Sequence, residues 1–349
     1  MLLLVACVAA DPDRSEVPER ETSDDTSPDT SSDTSGDTSG DTDAALPSPL
    51  VASGCAPVID VGVIGVGVDD IMAYAPSVVR DGATWRMWYG VAGGGGARGI
   101  AHARSADGLT WVEHARVQPP TSDGSAPMGL ATPNVLRVGA SWWMYADTGA
   151  GDTPIVRCVS DDGLTWGGCT GVIARGQVPG IDDDGAISAH VVPTAEGYRA
   201  WYTGVAGDVY RLLSAESPDG LIWGAPHEVL PLGAAAPYDT ASQYNPFVFQ
   251  DGEVWRMIYA GRAPYTDGDD VWQVKRLLQT WSTDGTTWEE PSLFLDLGCA
   301  GAWDAWRADE AWLTSDGDGW RMWYDGFDHP ITSEGRRRVL GAAVRRGQG

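Results

Sequence analysis

The chain has 349 residues, with 23 Lys and Arg against 49 Asp and Glu, for a formal net charge of −26. That surplus repels nucleic-acid phosphates and anionic lipid headgroups, which excludes nucleic acid as a partner. Hydrophobic residues reach 43%, enough for a sizeable core, and no run of about 18 apolar residues is present to cross a membrane as a helix. Gly (45) and Trp (17) are abundant, Phe is scarce at 4, and Lys275 is the only lysine. With weak helical periodicity, this composition predicts an all-β protein.

The sequence opens Met1-Leu2-Leu3-Leu4-Val5-Ala6-Cys7. Leu4-Val5-Ala6-Cys7 resembles a bacterial lipobox, which makes residues 1–7 a lipoprotein-type signal remnant and implies that Cys7 is lipidated and becomes the mature N-terminus. A basic segment ahead of it is missing, and a shortened secretory signal is the alternative. Residues 8–54 read as a tether. Asp-Thr-Ser-Gly units recur from Thr22 to Asp43, and residues 1–54 carry twelve acids and two arginines. Such a segment lacks the apolar surface needed to fold, and like charges keep it extended. The expected location is therefore outside the cytoplasm, as a cell-envelope lipoprotein or an extracellular protein. Any membrane contact would run through the lipid at Cys7.

Residues 55–349 repeat themselves. Trp85-Arg86-Met87-Trp88-Tyr89-Gly90 returns as Trp142-Trp143-Met144-Tyr145, Tyr198-Arg199-Ala200-Trp201-Tyr202, Trp255-Arg256-Met257-Ile258-Tyr259 and Trp320-Arg321-Met322-Trp323-Tyr324. The tyrosines at 89, 145, 202, 259 and 324 are spaced by 56, 57, 57 and 65 residues. Ser-x-Asp-Gly-x-x-Trp recurs at 105–111, 160–166, 217–223 and 282–288. An Asp-Gly between two apolar runs is a strong hairpin signal. A further apolar run precedes each Trp/Tyr block, as in Ala75-Pro76-Ser77-Val78-Val79 and Asn245-Pro246-Phe247-Val248-Phe249. Each unit reads as four strands, and five units describe a five-bladed β-propeller. The last unit lacks its fourth strand. Residues 57–64 are expected to supply it and to close the ring, which protects the sheet edges.

Four cysteines remain beyond Cys7, an even number suited to disulfides in an exported chain. Cys158 and Cys169 flank the Asp161-Asp162-Gly163 turn at facing positions and are expected to pair. Cys55 and Cys299 are then left for each other. No spacing suggests zinc, and no nucleophilic Ser or Cys elbow is present.

Together these motifs resemble the five-bladed propeller glycosidases: arabinanases and β-xylosidases of glycoside hydrolase family 43, with invertases and levansucrases. The resemblance implies a glycan held in the central funnel. It also implies three carboxylates at the starts of the first three inner strands, because hydrolysis needs two carboxyls flanking the bond and a raised pKa on the acid. This sequence departs from that pattern. The three positions carry Ala75, Thr132 and Ile187-Ser188, the fourth carries Asn245, and only the fifth keeps an acid, Glu310.

Acids recur further upstream, as Asp69, Asp182, Asp239 and Asp304, with Asp70, Asp183, Asp184 and Asp309 nearby. A residue repeated in every unit fits a turn or strand-start cap. If the loops enter the funnel mouth, the same acids make a sugar-sized acidic site. Candidate catalytic residues are Asp69, Asp70, Asp183, Asp184 and Glu310. Candidate substrate contacts are His190, Asp239, Asn245, Trp303, Asp304 and Trp306. His190 either meets a sugar hydroxyl or donates to a neighbouring backbone. Tyr265, Trp272, Trp303 and Trp306 either stack on sugar rings or pack between units.

The Ser-x-Asp-Gly hairpin also resembles the sialidase Asp-box, which implies a peripheral structural role. Arg86, Arg256 and Arg321 share one repeat position, which favours a structural role over a substrate clamp. The long fourth unit places an insertion at 264–270. It could wall the funnel or bind a divalent cation such as Ca2+; otherwise no cofactor is required. The expected function is a monomeric glycoside hydrolase-like propeller acting on an oligo- or polysaccharide. A non-catalytic glycan-binding propeller and a protein-interaction scaffold are the alternatives, since fold alone does not choose between them.

Overall fold

The computed structural model describes residues 51–52, 72–93, 98–117, 129–149, 151–267, 270–298, 302–316, 319–327 and 338–345. All of them belong to the compact unit Pro49–Gly349. The proposed lipidation site Cys7, the tether to residue 50, the strand expected at 57–64, Cys55, Cys299, Asp69 and Asp70 lie outside the described residues.

The described residues are strands and turns without a helix. β1 (Val51–Ala52) comes first. A meander follows: β2 (Met72–Asp81), β3 (Thr84–Ala92), β4 (Arg98–Ser105) and β5 (Val112–Arg116). The next is β6 (Ala131–Val138), β7 (Ser141–Asp147), β8 (Ile155–Ser160) and β9 (Cys169–Ile173). The third comprises β10 (Gly185–Thr194), β11 (Gly197–Ala206), β12 (Val209–Ser217) and β13 (His227–Glu228). The fourth comprises β14 (Ser242–Asp251), β15 (Val254–Asp267), β16 (Asp270–Ser282) and β17 (Ser292–Leu295). The last has β18 (Arg307–Asp316), β19 (Gly319–Phe327) and β20 (Arg338–Arg345). Neighbours within each meander pair antiparallel. The outer edge of β20 pairs with β1 through Val51↔Val344 and Ala52↔Ala343. A segment from before the first meander therefore lies beside the last strand. It begins earlier than expected, inside the stretch read as tether.

The second strand of each meander explains the Trp and Tyr repeat. In β3 the run from Trp85 to Val91 is buried continuously rather than alternately. A strand buried on both faces needs a sheet covered on both faces. Trp88, Trp142, Trp201 and Trp323 and the five repeated tyrosines are among the largest fully buried side chains. Trp85 packs on Trp323 with centroids 5.4 Å apart, and Trp88 on Trp142 at 5.2 Å, so the aromatics join one meander to the next.

The Ser-x-Asp-Gly turns form the expected hairpins and also dock them. Asp162 Oδ1 accepts the backbone N–H groups of Leu164 and Thr165 at 2.8 and 2.7 Å, an Asx-type turn. Gly163 follows with φ of 72°, a conformation that glycine adopts without strain. Its carbonyl accepts Trp88 Nε1–H at 2.8 Å, and Arg86 donates to Asp162 O at 2.8 Å. The same arrangement joins Gly108 to Trp323 at 2.8 Å and Gly220 to Tyr145 at 2.9 Å. Each of these hairpins thus reaches back onto the preceding meander, and the first reaches onto the last. Arg86, Arg199 and Arg321 hold hairpin carbonyls, whereas Arg256 binds Asp251 at 2.8 Å within its own meander. The Cys158–Cys169 disulfide ties β8 to β9 as expected, with Cα atoms 4.2 Å apart.

The first strands β2, β6, β10, β14 and β18 pack beside one another in that order, and β18 packs beside β2. They are linked by one repeated device. Ser77 Oγ accepts Val135 N–H at 2.9 Å, Asn134 Oδ1 accepts Val191 N–H at 3.0 Å, and His190 Nδ1 accepts Val248 N–H at 3.3 Å.

Candidate functional site

Each inner strand carries a bulge at the same place. The register shifts between Tyr74 and Ser77, Ala131 and Asn134, Ile187 and His190, Tyr244 and Phe247, and Asp309 and Trp312. At each bulge a non-glycine residue adopts positive φ: Ala75 (51°), Thr132 (46°), Ser188 (54°), Asn245 (52°) and Glu310 (39°). Such a conformation costs of order 1–2 kcal/mol per residue and persists only where neighbours over-determine it. The neighbours are identifiable. Ala75 N–H donates to Asp325 at 3.3 Å, Ser188 N–H to Asp147 at 3.4 Å, and Asn245 N–H to Thr203 Oγ1 at 3.0 Å. The bulges turn these five residues toward a shared narrow cavity of about 50 Å3.

At the bulge end of these strands the cavity widens to about 570 Å3. This mouth is lined by Tyr74, Arg98, Asp147, Tyr244, Lys275, Asp309, Glu310 and Arg338, among others. Its charges form a network. Lys275 Nζ lies 2.5 Å from Asp309 and 3.7 Å above the Tyr244 ring. Arg338 donates to Asp325 at 2.5 Å and Glu310 at 2.7 Å, and its guanidinium lies 4.5 Å over Tyr74. Asn245 donates to the second oxygen of Asp309 at 2.6 Å. Thr132 Oγ1 donates to Asp147.

Burial and pairing divide these groups. Burial raises the Glu310 carboxyl well above the usual range, and Arg338 offsets that only in part. Burial likewise raises Asp325 against Arg338, and Asp147 against the hydrogen bonds from Thr132 and Ser188. Burial also acts to raise Asp309, yet Lys275 and Arg338 outweigh it, so its carboxyl lies below the usual range. Burial lowers Lys275 against the pull of Asp309. Tyr244 is pushed up to about 12, chiefly by burial. The mouth therefore holds one carboxyl raised by burial, Glu310, beside one lowered by its neighbouring cations, Asp309.

Of the candidate residues, Glu310 and Asn245 line the mouth. His190 lines the narrow cavity, packs against Phe247 and Trp312, and accepts rather than donates a backbone hydrogen bond. Burial pushes it down to about 3, so it is neutral. Asp183 and Asp184 are exposed, and they accept the N–H groups of Gly180 at 3.0 Å and Gly207 at 2.7 Å. They serve turns outside the mouth lining. Asp239 is buried and takes Ala235 N–H at 3.0 Å, Gln243 Nε2 at 2.8 Å and Tyr259 OH at 3.1 Å. Asp304 takes Tyr324 OH at 2.7 Å. Both staple loops to the repeated tyrosines. Trp303 is buried against Tyr324, with centroids 4.8 Å apart, so its faces are spent in the core. Trp306 lies at the turn into β18, its backbone N–H on Phe327 O at 3.0 Å, and is not part of the mouth lining.

At the insertion expected at 264–270, β15 and β16 extend as paired strands, with Tyr265 in register with Trp272, and residues 268–269 lie outside the described residues. Among the described residues no group of three His, Cys, Asp or Glu side chains is placed to hold a metal ion. Asp147, Asp325, Arg98, Lys275 and Arg338 were absent from the sequence expectations. The one available signal was that Lys275 is the sole lysine.

No family model matches this chain. Two Mycobacterium tuberculosis proteins, uncharacterized protein Rv1502 and uncharacterized protein MT1551, are each 37% identical to it over 97 residues. That is 26% of this chain, and the chain spans about a third (32%) of those relatives. Solved structures match far more broadly. The catalytic domain of the Coprinopsis cinerea GH62 α-L-arabinofuranosidase matches with a TM-score of 0.58 and 14% identity, over 86% of this chain and 98% of that one. A Cellvibrio cellulosa α-L-arabinanase complexed with arabinohexaose matches with a TM-score of 0.57 and 17% identity, over 79% and 93%. A glycosyl hydrolase from Bacteroides ovatus matches with a TM-score of 0.62 and 12% identity, over 86% and 95%. The fold is that of the β-propeller glycoside hydrolases.

Proposed function

We propose that this chain is a five-bladed glycosidase-type propeller that binds a glycan at its funnel mouth without hydrolysing it. The observation that carries the reading is the mouth of about 570 Å3 at the bulge end of the inner strands, lined by tyrosines and charged groups. Polar groups converging on a concave cavity are the ordinary form of a ligand site. Binding is favoured over hydrolysis because every mouth carboxylate already has internal partners. Asp309 is bonded to Lys275 and Asn245, Glu310 to Arg338, and Asp147 to Thr132 and Ser188. Ala75, Thr132 and Ser188 stand where the resemblance would put acids.

Hydrolysis is the second reading, favoured by the raised pKa of Glu310 beside the ionised Asp309, with Glu310 as the acid. The ring would be closed by the N-terminal segment on β20. The protein would be exported as a monomer, tethered through 8–54 to a lipid at Cys7, and would need no cofactor, with Ca2+ at the 264–270 hairpin as an option.

The test incubates the full chain with arabinan, xylan and aryl glycosides, and follows both retention and released sugar. Retention without product supports binding. Product that disappears in Glu310→Gln replaces binding with hydrolysis. Neither retention nor product overturns the glycan assignment.

A further inference from the structure

The charge at the mouth runs against the rest of the molecule. The protein as a whole carries −26. Around the mouth, Arg98, Lys275 and Arg338 line the wall, Arg307 is paired with Lys275 across neighbouring strands, and Arg262 stacks at 5.6 Å on Tyr244. Those five cations face four acids, Asp147, Asp309, Glu310 and Asp325. Burial raises the carboxyls of Asp147, Glu310 and Asp325 from their usual range.

Not all of these cations are spent on internal partners. Lys275 and Arg338 are committed to carboxylates. The guanidinium groups of Arg98 and Arg307 make no ion pair or hydrogen bond with the described residues, although Arg307 is half-buried and lies 5.5 Å over Phe327. Arg262 donates to Asp208 O at 2.5 Å and Ser242 Oγ at 2.9 Å, and only its Nε is buried without an acceptor. A guanidinium has five N–H donors and cannot shed its charge, so a partly desolvated, unpaired one calls for an anionic acceptor. Ser188 Oγ, buried beside the same mouth, also lacks a partner. The tyrosine rings under Arg338 and Lys275 hold those cations in place through cation–π contact and leave Arg98, unpaired among the described residues, as the adaptable donor in the lining.

Resting on the glycan reading above, we propose that the mouth selects acidic saccharides, with Arg98, which lines the mouth, receiving a carboxylate or sulfate carried by the sugar and Arg307, beside Lys275 and outside the lining, adding its charge. Arginine suits this role because its planar fork matches an oxyanion with two parallel hydrogen bonds. The surrounding negative surface repels a polyanion that lacks the shape to enter, so the site favours one or a few acidic groups on a sugar frame over nucleic acid.

The test is a glycan array of neutral, uronate-containing and sulfated oligosaccharides probed with the full chain, followed by titration calorimetry on the best binder. Arg98→Gln and Arg307→Gln are compared with the parent, each checked for an unchanged thermal melt. Arg98 lies at the partly exposed start of β4, so its variant keeps the test alive if Arg307→Gln fails to fold. The expected result is retention of acidic members alone, at least tenfold weaker in Arg98→Gln, and weakening as salt is raised. The uronate and sulfate arms identify the anion. Equal retention of neutral members, with no effect of Arg98→Gln, overturns the acidic selectivity while leaving glycan binding in place. Retention of no member overturns both.

Discussion

The Lys275–Asp309 pair is the sharpest quantitative handle on the mouth. The two side chains are 10% and 2% exposed and lie 2.5 Å apart. Removing one partner leaves the other buried without its counter-charge, which typically costs about 3–5 kcal/mol. Asp309→Asn strands Lys275 on the Tyr244 ring, whereas Lys275→Met leaves Asp309 with Asn245, the Glu310 N–H and Arg338 at 3.7 Å. Asp309→Asn is expected to lose about 3–5 kcal/mol, and Lys275→Met to fall at the lower end of that range because Arg338 remains. The double change removes both charges, and its loss is expected to fall well below the sum of the singles, because replacing an entire buried pair is often close to neutral. Urea unfolding followed by tryptophan fluorescence reads all four proteins at constant pH and salt. Single losses of about 1 kcal/mol or less, or strict additivity, would refute the claim that these two charges hold each other in the mouth wall.

Three further outcomes are expected. Gly163→Ala should be destabilised by about 2–3 kcal/mol, since φ is 72° and a Cβ would lie 2.8 Å from Arg86 and 2.9 Å from Trp88. Gly82→Ala, at φ of 64° with nothing within 4 Å, should lose only about 1 kcal/mol; equal losses in calorimetric melts would remove the docking argument. Reducing Cys158–Cys169, which closes a loop with sequence separation 11, should cost about 2–3 kcal/mol, and coincident urea curves for oxidised and reduced protein would contradict it. His190 sits near 3 when folded and near 6.5 when unfolded. Its contribution is therefore complete above pH 6.5 and is lost as pH falls from 6.5 toward 3, by up to about 1.4 kcal/mol per pH unit. His190→Asn keeps an acceptor for Val248 N–H, as Asn134 does one strand earlier. Parallel stability-versus-pH curves for the two proteins would exclude this role.

The repeats were legible because their causes are local. A Ser-x-Asp-Gly turn forms from its own Asp oxygen and glycine φ, as at Asp162 and Gly163, whatever surrounds it. The Trp and Tyr strands repeat because each meander presents the same buried faces. The recurring upstream acids were legible as a pattern, but a pattern does not distinguish a staple from a catalyst. Asp239 and Asp304 are held by Tyr259 and Tyr324, residues of the same repeat. The mouth was not legible, because its positions repeat while its residues change from meander to meander: Arg98, Lys275 and Arg338 pair with Ala92, Arg262 and Phe327, each three residues after a repeated tyrosine. Asp147 and Asp325 follow the repeated tyrosines by two residues and one, and Lys275 and Arg338 lie on third strands of different meanders. Only the circular arrangement of the inner strands brings those four side chains together. The five bulges were hidden for a related reason: Ala-Pro, Thr-Pro and Asn-Pro signal a break in a strand, but not the direction in which the broken strand turns.

The most direct test of glycan binding at the mouth is a crystal structure with the best-retained oligosaccharide bound. Sugar density is expected against Tyr74, Arg98 and Tyr244, with its anionic group toward Arg98. Density confined to the outer groove of about 710 Å3 between Tyr198, Trp223 and Trp255, with an empty mouth, would contradict it.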